Sequence, residues 1–154
     1  GGRIIDAHQE SELQFFHRQY KELDELYHDI ALKLGKSESA LGDVYTVCVQ
    51  GDGCLQRDVC REAYISKQTV NSSVRRLEKD GFIYLEESTG RDKHICLTAM
   101  GKAFVEEKIR PILDVENGAF LEMTPEERTM FILLSRKYVK NFQRRVKKML
   151  EELT

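Results

Sequence analysis

The sequence predicts a mainly α-helical protein with one small β-hairpin, and three observations carry that expectation. Apolar residues recur at steps of three and four over long stretches near both ends. A shorter segment, "YISKQTVNSSVRRLEKDGF" over residues 64–82, sets three aliphatic residues at helical spacing among amides, hydroxyls and guanidinium groups. Directly after it, "GFIYLEESTGRDKHICLT" reads as strand, turn and strand. With 154 residues at 41% hydrophobic, the chain can bury one core, or one core with a helical annex.

The first long helix starts near Leu13, and its stripe runs Leu13, Phe16, Tyr20, Leu23, Tyr27, Ile30 and Leu34, with Glu22, Asp24, Glu25 and Asp29 on other faces. Gly35 stops it, as a glycine just past the last periodic residue accepts a left-handed backbone. At the other end, Thr124 reads as an N-cap, Pro125 as the first helical residue and Glu127 as its capping-box partner. Phe131, Leu134, Tyr138, Phe142, Val146, Met149 and Leu153 follow at helical spacing. Between hairpin and final helix, residues 97–120 read as a further helix capped by Thr98 and kinked or broken at Pro111. Long, regular stripes at both termini of a short chain suit an interface between two subunits better than a core enclosed alone, so a homodimer is expected.

The middle is less uniform. "DVYTVCVQ", residues 43–50, has β-branched residues that favour a strand, yet Leu41, Val44, Tyr45 and Cys48 recur at helical intervals. "QGDGC" is a turn, a short helix spans about Leu55 to Ala63, and Ser66 caps the next helix.

On that helix Val70, Val74 and Leu77 share a narrow arc, with Gln68, Ser72, Arg75 and Lys79 opposite and Asn71 and Arg76 on the flanks. A short helix, a brief connection through Tyr64 and Ile65, and a second helix with a polar N-terminal half are the parts of a helix-turn-helix. Amides can pair with adenine, hydroxyls and methyls can meet thymine, and arginine can reach guanine or phosphate. Gly81 ends the helix, and the hairpin's basic tip offers Arg91, Lys93 and His94 to a minor groove. Asp92 is placed to hold a neighbouring basic side chain by a weak surface salt bridge.

Two helices followed by a charged hairpin make a winged helix. The expected division is a winged helix-turn-helix DNA-binding domain over residues 37–98, with long N- and C-terminal dimerisation helices over 1–36 and 99–154. The candidate DNA-contacting residues are Ser66, Lys67, Gln68, Thr69, Asn71, Ser72, Arg75 and Arg76 on the helix, and Arg91, Lys93 and His94 on the wing.

Over about residues 55–104 the chain resembles the MarR family of bacterial winged-helix transcriptional regulators. The resemblance rests on Leu77, Glu78 and Gly81 at the end of the polar helix, Asp92 and Lys93 in the wing, and Leu97, Thr98 and Gly101 opening the next helix. It implies that residues 43–49 are helical and that the terminal helices dimerise. It also implies binding of double-stranded DNA at a palindromic operator, most often as a repressor, with release by a small-molecule effector held between the dimerisation helices and the winged domain. Phe16, His17, Tyr20 and Tyr45 are the candidate lining residues of such a pocket, although core or interface roles fit them as well. One departure stands out, since His94 occupies the place where the family's wing usually carries arginine. A side chain only partly charged near neutral pH weakens that contact and shifts it to Arg91 or Lys93.

Other classes are disfavoured. A net charge of −2 excludes binding nucleic acid by bulk charge, so a local patch must do it. No apolar run approaches the roughly 20 residues of a membrane span, and the first residues lack a signal-peptide pattern, so a cytoplasmic protein without membrane contact is expected. No nucleophile elbow, His-Glu-x-x-His pair or phosphate loop is present, so no catalytic residue and no cofactor are assigned. Cys48, Cys54, Cys60 and Cys96 match neither a CxxC pair nor a zinc knuckle, and they read chiefly as small buried apolar residues rather than a redox pair. Residues 98–120 hold no histidine and the first long helix no cysteine, unlike the family's zinc- and peroxide-sensing members. The run from Arg136 to Lys148 reads as a solvated basic face. The remaining alternatives are a winged-helix interaction dimer that has lost DNA binding and a thiol-based redox-sensing regulator.

Overall fold

The computed structural model describes residues 10–35 and 38–153. In chain order it contains α1 (Glu10–Leu34), α2 (Glu38–Cys48), β1 (Cys54–Leu55), α3 (Gln56–Ala63), α4 (Lys67–Lys79), β2 (Ile83–Glu86) and β3 (His94–Leu97). These are followed by α5 (Ala99–Phe104), a π-helical turn (Val105–Ile109), α6 (Arg110–Leu121) and α7 (Pro125–Leu153). Two compact units divide after Ile112.

In the first unit, α2 resolves the ambiguous segment as a helix. Leu41, Val44 and Val47 are buried along one of its sides, so tertiary packing overrides the β-branched propensity of the run. Val59 of α3 and Val70, Val74 and Leu77 of α4 are buried with them, joined by Ile83 and Ile95 from the hairpin and Phe104 and Ile109 beyond it. Phe82 and Phe104 stack at a tilt, with ring centroids 4.8 Å apart.

The hairpin belongs to a three-stranded antiparallel sheet in the order β1-β3-β2. Ile83 pairs with Leu97 and Glu86 with His94 across β2 and β3, while Cys54 faces Ile95 from β1. The sequence offers no alternation for β1 because two residues are too few to show one. Its approach is fixed by Gly53, whose amide donates to the Ile95 carbonyl at 2.8 Å, and by Asp52, whose carboxylate accepts the Leu97 amide at 2.8 Å.

The end of α4 is locked to the start of α5. Gly81 adopts φ 83°, and the amide of Phe82 returns to the Leu77 carbonyl at 2.9 Å, which satisfies a terminal acceptor of α4. The Thr98 hydroxyl donates to the Gly81 carbonyl at 2.6 Å and accepts the Gly101 amide at 3.0 Å, so one side chain caps α5 and ties it to the preceding turn.

Pro111 neither breaks nor ends its helix. The π turn immediately before it widens the backbone ladder, which accommodates a residue that has no amide hydrogen to give and whose ring crowds the preceding turn.

In the second unit, Thr124 and Glu127 form the expected capping box: the Thr124 amide donates to Glu127 Oε1 at 2.8 Å, and the Glu127 amide to Thr124 Oγ1 at 3.1 Å. α7 then runs for 29 residues without burying one of them. Phe131, Leu134, Tyr138, Phe142, Met149 and Leu153 all remain exposed along it. In the first unit, Leu13, Tyr20, Leu23 and Tyr27 of α1 are exposed in the same way.

Candidate nucleic-acid interface

α3, the turn at Tyr64 and Ile65, and α4 form the helix-turn-helix. Tyr64 takes a left-handed conformation at φ 55°, a place more often given to glycine, and its amide returns to the Cys60 carbonyl. Ser66 caps α4 as its residue type predicts, its hydroxyl accepting the Thr69 amide at 3.1 Å and lying 2.8 Å from Thr69 Oγ1. Ser66 and Thr69 are therefore engaged in starting the helix, though both remain exposed.

Beyond the cap, α4 sorts its polar residues into two groups. Lys67, Gln68, Ser72, Arg75 and Lys79 are exposed, opposite the buried Val70, Val74 and Leu77. The Ser72 hydroxyl donates to the Gln68 carbonyl at 3.1 Å, one turn back along the helix. The two flanking residues are tied to the scaffold instead, although Arg76 itself remains exposed. Asn71 is half-buried and its side-chain carbonyl accepts a hydrogen bond from the Gln56 amide of α3. Arg76 forks onto Asp43 of α2, with Nε 2.8 Å from Oδ2 and Nη2 3.0 Å from Oδ1. Asp43 also accepts from the buried Ser73 hydroxyl at 2.8 Å. Burial pushes the Asp43 carboxyl up, but the hydrogen bonds from Arg76 and Ser73 and the Arg76 charge outweigh it and hold the group below its ordinary range.

The wing is the β2–β3 loop. Its fold is internal: the Ser88 hydroxyl donates to the Asp92 carbonyl, the Gly90 amide donates to Ser88 Oγ at 3.2 Å, and Lys93 lies 3.5 Å from Glu87. The basic partner of Asp92 comes from α3 rather than from the wing, with Arg57 Nε at 3.8 Å. Arg91 is exposed and joins no ion pair among the described residues.

His94 is not at the wing tip. It opens β3, half-buried, with Nδ1 2.8 Å from the Gly53 carbonyl, because its register opposite Leu55 and Glu86 points it to the root of the sheet. It is thus neither a free wing cation nor a strand residue facing solvent. A cavity of about 300 Å³ opens beside it, lined by Leu55, Arg57, Ser88, Thr89, Gly90 and Asp92 as well.

The proposed effector-pocket residues line no part of that cavity. Phe16 and Tyr20 pack edge to face with ring centroids 5.0 Å apart, and Phe16 and His17 lie at 5.9 Å, so these three form one aromatic group on α1. Tyr45 is half-buried on α2.

Of the cysteines, Cys96 is buried, whereas Cys48, Cys54 and Cys60 are only half-buried. Burial first, then the proximity of Cys54 and Asp52, pushes the Cys48 thiol up to about 12, and burial raises Cys54 as well. Thiols held in the neutral form are poor nucleophiles. Among the described residues no group of His, Cys, Asp and Glu is arranged to hold a metal ion, and no helix is long and apolar enough to cross a membrane.

Asp43, Gln56 and Arg57 escape a reading of the sequence. Each works through a partner at least fifteen residues away, and only the hydrophobic neighbours of Asp43 hint that it faces inward.

Residues 45–93 match the MarR family. Among solved structures, MepR of Staphylococcus aureus, determined as a DNA complex, superimposes with a TM-score of 0.62 at 19% identity, over 90% of this chain and 99% of MepR. BpsR of Bordetella bronchiseptica, whose DNA binding is regulated by 6-hydroxynicotinic acid, gives 0.63 at 20% identity over 88% and 97% of the two chains. A MarR-family transcriptional regulator from Rhodococcus sp. RHA1 gives 0.56 at 17% over 90% and 96%. No curated protein matches the chain in sequence. These likenesses establish the fold, and the match over residues 45–93 covers the helix-turn-helix and most of the wing. Through that segment the chain is similar to the MarR family.

Proposed function

We propose that this chain is a sequence-specific, double-stranded-DNA-binding transcriptional regulator that acts as a homodimer on a palindromic operator. The observation that carries the reading is the outer face of α4, where Gln68, Ser72 and Arg75 stand exposed with the buried aliphatic stripe directly behind them. A helix so mounted can enter a major groove with amide, hydroxyl and guanidinium groups toward base edges. The wing adds Arg91, an exposed cation on a narrow loop, for the adjacent minor groove. Residues 37–98 serve as the DNA-binding domain. The apolar stripes left open on α1 and α7 suit subunit pairing, since large contiguous apolar patches are uncommon on monomers.

Repression, with relief by a small molecule, is the mode that suits such a protein. Regulation of BpsR by 6-hydroxynicotinic acid makes ligand control a reasonable expectation here. The aromatic group of Phe16, His17 and Tyr20, together with Tyr45, is where we place the ligand. The raised thiols of Cys48 and Cys54 weigh against redox sensing.

Fluorescence anisotropy with duplexes from the DNA upstream of the gene tests the reading. The expected result is tight binding that weakens steeply with salt through counterion release, and a loss of about tenfold or more on Arg75→Ala or Arg91→Ala. Absent or salt-insensitive binding would show a winged-helix interaction module instead.

A further inference from the structure

Asp43 is an acidic side chain that reaches the recognition helix from behind. It projects from α2 with its side chain only 13% exposed, and it ties to residues 30 and 33 positions later in the chain. Both carboxylate oxygens are used: Oδ2 takes Arg76 Nε, while Oδ1 takes Arg76 Nη2 and the Ser73 hydroxyl. Arg76 Nη2 also lies 3.3 Å from Ser73 Oγ, so the three side chains close a ring. A guanidinium fork seated on a carboxylate at two points has a fixed orientation as well as a fixed position.

The ring has two consequences for a helix that reads bases. First, Arg76 follows Arg75 by one position, about 100° further round the helix, so clamping it fixes the rotation of α4 about its own axis. A slip of about 20° would carry a side-chain tip some 6 Å from that axis by about 2 Å, enough to break a bidentate base contact. Second, a guanidinium committed to Asp43 is withheld from the phosphate backbone. Backbone contacts raise affinity for every sequence alike, so withholding one lowers non-specific binding.

We propose that Asp43 is a positioning residue for base recognition, which through Ser73 and Arg76 fixes the rotation of α4 and keeps the Arg76 charge off the DNA backbone, so that it sets the ratio of specific to non-specific binding. The proposal rests on the DNA-binding reading above. It reverses the role that residue type alone suggests for Arg76, from DNA contact to brace.

The test is anisotropy with the full chain against an operator duplex and an unrelated duplex of equal length, each over a series of salt concentrations. Asp43→Ala is expected to weaken operator binding about tenfold. The same change is expected to strengthen binding to the unrelated duplex and to steepen its log-log salt slope by about 0.9 for each bound protomer, as a released Arg76 engages a phosphate. Adding Arg76→Ala to that variant should abolish the gain on unrelated DNA, whereas Arg76→Ala alone should leave the operator salt slope unchanged. Asp43→Asn keeps an acceptor for Ser73 without the charge, and it decides the matter by the same slopes if the alanine variant does not fold. The proposal is overturned if Arg76→Ala alone makes the operator slope shallower by about 0.9, which would make Arg76 a phosphate contact, or if the Asp43 variants keep the wild-type ratio. Failure of the wild type to prefer any operator would instead sink the DNA-binding reading itself.

Discussion

Gly101 stands so close to the carbonyl of Phe82 that a Cβ at position 101 would lie 1.9 Å from that oxygen. No rotamer change relieves such a contact, because the obstacle is backbone. The same carbonyl accepts the Thr98 amide at 3.1 Å, and Thr98 ties in turn to Gly81. The Gly81, Thr98 and Gly101 positions are therefore one joint between α4 and α5.

Gly101→Ala is accordingly expected to destabilise the fold by about 2 kcal/mol, the strain of overpacking exceeding alanine's better helix propensity. In a chain of this length that corresponds to a fall of roughly 4–8 °C in Tm, read by thermal melting. An unchanged Tm would mean that α5 does not approach Phe82 as closely as described.

Arg57 anchors the wing from outside it. Arg57→Ala should leave Tm nearly unchanged, since the pair with Asp92 is an exposed one, yet weaken operator binding about two- to fivefold as the loop bearing Arg91 loses its orientation. In a double-mutant cycle, Arg91→Ala should cost less in the Arg57→Ala background than in wild type. Additive losses would show that the two residues act independently.

Acid should act on Asp43. Its carboxyl is held below the ordinary value of 3.8, so its contribution is complete above that pH and is lost as the pH falls through the lower folded-state value. Wild type should therefore lose stability to urea on going from pH 5 to pH 3 more steeply than Asp43→Asn. Equal slopes would show that Asp43 gains nothing from Arg76 and Ser73.

The open stripe on α7 predicts the assembly. Phe142 is 57% exposed and Leu134 53%, and charging either position as Phe142→Glu or Leu134→Glu should shift the protein from dimer toward monomer in sedimentation velocity. Helical content should be retained because neither side chain is buried within the chain itself. A wild-type monomer at micromolar concentration would remove the basis for two-fold operator recognition.

Much of the fold was legible because its signals are local. The stripes of α1 and α7, the Ser66 and Thr124 caps and the Gly35 and Gly81 stops all depend on residues within a turn or two of one another. The helical state of α2 was not legible from propensity, since Val44 and Val47 are β-branched and only burial decides for them. β1 was too short to announce itself. On the interface, the outward residues Gln68, Ser72 and Arg75 followed from periodicity. The flanking Asn71 and Arg76 did not, because their partners Gln56 and Asp43 come from other helices. The contact of His94 is hidden from the sequence for a similar reason, as its carbonyl partner at Gly53 lies 41 residues away.

The widened turn at Val105–Ile109 makes this stretch sensitive to the count of its residues. Removing one residue there would restore ordinary winding, because a π turn holds one residue more than an α turn and would absorb the loss. Ile112 would keep its buried side, but the pyrrolidine of Pro111 would press on the carbonyl that the wider winding had moved aside. A single-residue deletion should thus cost more stability here than in the loop that carries Arg91, where no proline ring waits on the turn before it.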